Sequence, residues 1–323
     1  LIVLNNNKEL IEVEHWDDIV DRPGFTNNLN PKFHKLEAII GKYHFREKIP
    51  CGLSNCHTLH AKGYIVVTTD GTETNMGNVC GKKFFGIDFD TLSAAFNRDL
   101  TEQKYREKLW TFSSKLGGIK YKISEIREQP NGVKWVFSMT EQLLNSSECV
   151  PDETSELIKT MVKEGGTVLY TSREATAKEV ELFEASQNRK IPLPHYIREP
   201  LAEIAGLNAL LPENNLRNLV IFQLDEKIKK FESESIDSMS LKTLSEWVKW
   251  ADRVPDTLKR AIKSLKSGQL LLTRENLTPF SQLLHCSKGE IPKISQRVTF
   301  HETVGINLLG CLVYEANRNS ISR

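Results

Sequence analysis

The sequence predicts a mainly α chain in which a small β-hairpin module, residues 31–86, is followed by a multi-helix region of bundle or coiled-coil type. Three observations lead there. After Gly86 apolar residues recur at steps of three and four, the period of an amphipathic helix. The one extended run rich in β-branched and aromatic residues, Gly63 to Thr69, ends at Asp70-Gly71, a dipeptide that favours a tight hairpin turn. Three of the six cysteines and two of the eight histidines fall within residues 51–80, around that run.

Residues 1–30 read as an acidic N-terminal segment, with six acidic groups against two basic ones. A short helix is expected over 8–20, ended by Asp21-Arg22-Pro23-Gly24 and followed by an Asn-rich loop. The apolar block Leu1 to Leu4 is too short for a secretory signal. A second helix is expected over 31–48, opened by Pro31 and carrying Phe33, Leu36, Ile39, Ile40 and Tyr43 on one stripe.

Beyond Gly86, Phe89, Leu92, Phe96, Leu100, Leu109, Phe112 and Leu116 describe a long helix over 88–116, with Gly117-Gly118 as its expected break. Residues 87–150 are therefore a helical arm, pairing either with residues 119–145 as a hairpin or with another chain as a coiled coil. An all-helical domain is expected over 151–323, with helices at 153–164, 171–187, 195–211, 213–233, 240–252, 255–267, 273–285 and 299–317. Strand-like runs there are confined to residues 167–170 and 270–272.

The cysteine-rich stretch carries the chemistry. A two-residue turn at 70–71 pairs positions whose numbers sum to 141, placing Cys80 opposite Ala61 and next to His60. The hairpin thereby returns a late thiol to the base occupied by Cys51, Cys56, His57 and His60. Thiolate sulfur and imidazole nitrogen are borderline-soft donors, and four of them close a tetrahedral structural Zn2+ site. The expected ligands are Cys51, Cys56, His60 and Cys80, with His57 the substitute for His60. Cys149, Cys286 and Cys311 lie at unrelated spacings and read as free thiols, which fits a reducing, cytoplasmic setting.

In its order of parts the stretch resembles a treble-clef zinc finger: a knuckle at Cys51-Gly52 to Cys56, a hairpin, then a last ligand in Asn78-Val79-Cys80-Gly81 leading into a helix. The resemblance covers residues 51–86, and it implies a structural zinc. The knuckle spacing is wider than the usual Cys-x2-Cys, and Cys80 has no nearby cysteine partner.

Composition narrows the function classes. Of the residues, 39% are hydrophobic and 26% charged, so a folded core is expected rather than disorder, and no apolar run approaches the roughly 20 residues that span a bilayer. Residues 31–86 carry eight basic groups against four acidic ones. Lys62, Lys82, Lys83, Arg46 and Lys48 flank the cysteines and are the candidate contacts to DNA or RNA phosphates. The sequence thus points to a binding protein rather than an enzyme, one that contacts nucleic acid through its zinc module and itself or another protein through its helices. A protein–protein adaptor with a purely structural zinc is the competing class. A hydrolase using the metal or Cys80 is a third, with little behind it: His301-Glu302 lacks the second His of a zinc-protease helix, and Gly165-Gly166 lacks the Lys and Ser/Thr of a phosphate loop.

Overall fold

The computed structural model describes residues 2–6, 9–145 and 150–286. The expected helix at 299–317, with His301 and Cys311, lies outside the described residues, as does Cys149. The chain forms two compact units, the first comprising 1–115 with 234–251 and the second 116–233 with 252–323.

The first unit is built on a five-stranded antiparallel sheet in the order β2-β1-β3-β4-β5. Its strands are β1 (Ile2–Asn6), β2 (Glu9–Val13), β3 (Leu36–Pro50), β4 (Leu59–Thr68) and β5 (Glu73–Met76), with a four-residue helix α1 (Asp17–Val20) after β2. Two expectations are corrected here. Residues 9–13 are a strand, not helix, and the predicted helix at 31–48 is β3. The stripe Leu36, Ile39, Tyr43 satisfies a helical period, but pairing of β3 with β4 from Leu36↔Thr68 to Pro50↔Leu59 satisfies the backbone. A register shift between Ile39 and Gly41 then sends Ile39 to one face of the sheet and Tyr43 to the other. Phe33, assigned to the helical stripe, is 81% exposed.

Alternation sorts side chains onto two faces. On one, Ile2, Leu4, Ile19, Tyr43 and Ile65 form a core joined by Trp16, Phe25 and Phe45. On the other, Val3, Ile39, Tyr64, Val66 and Met76 pack with Phe89, Phe96 and Leu100 of the long helix α2 (Asn78–Glu128). Tyr64 meets the rings of Phe89 and Phe96 edge-on at centroid distances of 5.6 and 6.4 Å. Cys51 and Cys80 belong to this second core.

The hairpin exists, with a register one residue away from the expected one: Tyr64↔Met76 to Val67↔Glu73, sums of 140. The loop has three residues, Thr69 to Gly71, closed by Thr68 N–H to the Thr72 carbonyl at 3.0 Å. Gly71 takes φ +83, so the Asp70-Gly71 pair forms the last two positions of a turn ending in the left-handed region, one of the common hairpin closures. The side chain of Asp70 accepts from Thr68 Oγ1 at 2.6 Å, fixing the loop.

The helix α2 has a non-helical residue at Gly86 (φ 56, ψ −128) and continues through Gly117-Gly118, where a break was expected. It is followed in the second unit by α3 (Val133–Leu144) and α4 (Asp152–Glu164). No coiled-coil partner is seen for it among the described residues. The predicted helices at 171–187 and 195–211 are replaced by β6 (Val168–Glu174), α5 (Ala177–Gln187) and β7 (Tyr196–Glu203), with β6 and β7 paired antiparallel. Only the Val168-Leu169-Tyr170 run signalled this; β7 becomes a strand because β6 offers it a ladder. A π-helical segment (Arg217–Asp225) runs into α6 (Glu226–Ser233), within the expected 213–233 helix. The helices expected at 240–252 and 255–267 are one, α7 (Leu241–Leu271), which passes through Pro255 because its buried stripe, Leu244, Val248, Ala251, Val254, Leu258, Ala261 and Leu265, continues unbroken. The last described helix is α8 (Arg274–Cys286). No helix among the described residues is long and apolar enough to cross a membrane.

Candidate metal centre

The site lies where the end of β3, the start of β4 and the first turn of α2 meet. Leaving β3 at Pro50, the chain makes a tight knuckle held first by backbone bonds. Gly52 N–H donates to the Asn75 carbonyl at 2.8 Å, Leu29 N–H to the Gly52 carbonyl at 2.9 Å, Cys56 N–H to the Leu53 carbonyl at 3.0 Å and Cys51 N–H to the Thr58 carbonyl at 3.1 Å. Cys51 and Cys56 thus stand at the two ends of a turn anchored on β5 and on the Leu29 loop.

Cys80 comes to the knuckle by a route the hairpin arithmetic did not foresee. The strand β5 stops at Met76, so Cys80 is carried by the first turn of α2. Gly81 lets that turn close on the core: a Cβ there would overlap the ring of Phe89, which is fully buried. The result is one group of three thiols, Cys51, Cys56 and Cys80, whose Sγ atoms all lie within 4.8 Å of one another. The Cys56 and Cys80 sulfurs are 3.2 Å apart. Three thiolates bound to one tetrahedral zinc at about 2.3 Å would stand about 3.8 Å from each other. The spacing therefore fits a metal site with three sulfur donors.

Neither histidine is in the thiol group. The Nδ1 of His60 faces the Thr58 carbonyl at 3.0 Å and its Nε2 the Tyr43 hydroxyl at 2.5 Å. Asn75 Nδ2 donates to the Tyr43 oxygen at 3.2 Å and to the Pro50 carbonyl at 2.9 Å. Burial holds the Tyr43 phenol in its protonated form, so it can donate to His60 Nε2. A carbonyl only accepts, so Nδ1 of His60 carries the proton, and both of its nitrogens are used in bracing the knuckle. His57 follows Cys56 directly, in the left-handed region at φ 48, and its Nδ1 lies 3.2 Å from the Cys51 carbonyl oxygen.

The thiols differ in acidity. Burial, with the neighbouring Cys56 and Cys51 sulfurs, pushes Cys80 up to about 12, and burial raises Cys51 too. Burial also opposes ionisation of the more exposed Cys56, but hydrogen bonds from the Thr58 hydroxyl and backbone and from the other two thiols outweigh it and bring Cys56 down to about 7. Three sulfurs this close resist carrying three negative charges together; a bound divalent cation removes that repulsion.

The five basic candidates, Arg46 and Lys48 on β3, Lys62 on β4, and Lys82 and Lys83 just after Cys80, are all exposed. Lys82 pairs with Asp90 further along α2 at 3.1 Å, and Lys83 lies over the Phe84 ring at 5.3 Å. Sequence reasoning did not single out the exposed apolar residues on these same elements: Leu59, Val79 and Ile87 are 59%, 78% and 83% exposed. No sequence signal separated them from core positions.

Neither a protein-family model, nor a curated protein, nor a solved structure matches the chain.

Proposed function

We propose that this is a zinc-stabilised binding protein of the cytoplasm, whose treble-clef-like module contacts nucleic acid and whose helical parts bind a second copy or another protein. The observation behind it is the convergence of three thiols at the start of α2, with Lys82 and Lys83 exposed directly after the last of them. Zinc is the ion that such a donor set favours, and a reducing compartment keeps the thiols available to it. The metal ties knuckle to helix and so holds the lysines in place, while the lysines supply charge attraction to phosphates that is strong, salt-dependent and indifferent to sequence. The Lys82–Asp90 pair is exposed on both sides and is easily given up for a phosphate.

The test has two arms. Metal analysis of the purified chain is expected to give one zinc per molecule. Binding to single- and double-stranded nucleic acid is expected to weaken steeply with salt, and Lys82→Glu with Lys83→Glu to weaken it on every sequence alike. Absence of binding at low salt would remove nucleic acid. The exposed Leu59, Val79 and Ile87 favour the second reading, an adaptor that docks a protein on the same module.

A further inference from the structure

We infer that Cys56 is a modification site for hydrogen peroxide and Cys80 its resolving partner, the two closing to a disulfide that takes over from the metal in tying the knuckle to α2. Release of zinc rests on the metal reading above; the bond itself needs only the two sulfurs. The three thiols differ in spacing and in access. The Cys56 and Cys80 sulfurs stand 3.2 Å apart, closer than the about 3.8 Å at which a shared tetrahedral zinc would hold them. A disulfide bond is about 2.0 Å long, so a small approach of the two side chains closes it. Cys51 is 1% exposed and directs its thiol at the Asn75 carbonyl at 3.9 Å, and Cys80 is 8% exposed. Cys56 alone of the three is not buried, so an oxidant arriving from water meets its sulfur first.

The two residues also lie on separate elements. Cys56 ends the knuckle and Cys80 sits in the first turn of α2, so their bond spans the gap that a metal would span. Such a cross-link limits how far knuckle and helix can separate once the ion has gone. In the metal-free chain the chemistry balances in two steps. The Cys56 sulfur attacks one oxygen of hydrogen peroxide, the O–O bond breaks and water leaves, giving a sulfenic acid. The Cys80 sulfur then attacks the Cys56 sulfur, the S–O bond breaks, and the hydroxyl departs with the Cys80 proton as a second water. With zinc bound, two protons come from solvent instead and Zn2+ leaves, since a single thiol donor remains.

In the experiment the full chain, zinc-loaded or stripped with a chelator, is treated with hydrogen peroxide, blocked, cut with trypsin and mapped without reduction. Peptide 49–62, which holds Cys51 and Cys56, is expected to be joined to 63–82, which holds Cys80, at a mass about 2 Da below their sum. Fragmentation should place the bond at Cys56. Zinc should leave in step with the bond, one ion per disulfide, and dithiothreitol should restore both thiols. Cys80→Ser should stop at a Cys56 sulfenic acid that dimedone traps, and Cys56→Ser should slow oxidation of the site by ~10-fold. A bond placed at Cys51, a link between two chains, or thiols at 56 and 80 that stay free under peroxide would overturn the proposal and leave the metal site standing. A Cys56–Cys80 bond in a chain that takes up no zinc would uphold the pairing and overturn the metal reading instead.

Discussion

The thiol module and the segment running from β6 to β7 are both two antiparallel strands and a helix, yet they are held together by different forces. In the module, β4 buries Tyr64, Ile65 and Val66, and α2 returns Phe89 and Phe96 onto it. In the second unit, not one residue from Tyr170 to Glu203 is buried, and Leu182, Leu193 and Tyr196 are 70%, 72% and 56% exposed. What holds that arm is polar. Thr176 and Glu179 form a reciprocal cap on α5, and Arg173 bonds Glu179 and Glu199 at 2.7 Å each. A hairpin and a capped helix can be specified by backbone bonds and ion pairs alone, but such contacts, open to water, contribute little net stability.

The comparison can be broken first at Phe89. Phe89→Ala removes a fully buried ring from the module and is expected to cost about 3–5 kcal/mol in denaturant unfolding of the first unit. A loss below about 1 kcal/mol would mean that the α2 contact with the sheet is not what stabilises it.

A second test uses protons. Cys80 and Cys51 hold theirs well above neutrality, whereas Cys56 is largely ionised above about 7. Metal uptake near pH 8 must therefore expel about two protons, and the apparent affinity should rise by ~100-fold per pH unit there, more steeply below about pH 7 where Cys56 also gives up a proton. Competition titrations with a chelator of known affinity across pH measure the slope. A flat profile would mean that the thiols are not the ligands.

The smallest effect is expected in the arm. Phe183, 37% exposed and touching the His195 ring edge-on at 5.4 Å, should cost no more than about 0.5 kcal/mol when changed to Ala. Amides of residues 177–187 should exchange with solvent far faster than those of 63–67. Strong protection in α5 would show that the arm is covered in solution.

Some of the site was readable in the sequence, and the reasons are local. Cysteine clustering names ligand types whatever the fold, and Asp70-Gly71 marks a turn because few dipeptides tolerate a positive φ at its second position. The register was not readable. Two- and three-residue loops both end in glycine, and a change of one residue moves every partner along the strand. The strand β3 was read as helix because its residues are apolar on both faces, and a doubly covered strand with a register shift loses the alternation that identifies it.

By itself, then, the sequence determined that three thiols and two histidines would gather about a hairpin, and that most of the remainder would be helical, since both follow from residue type and short-range periodicity. Tertiary structure alone decided that Cys80 lies within the first turn of α2, that β1, β2 and β3 complete a sheet, and that His60 is engaged by Tyr43. These depend on contacts between residues far apart in the chain, which local preference cannot encode: the Tyr43 hydroxyl, 17 positions from His60, uses the lone pair that a metal would need.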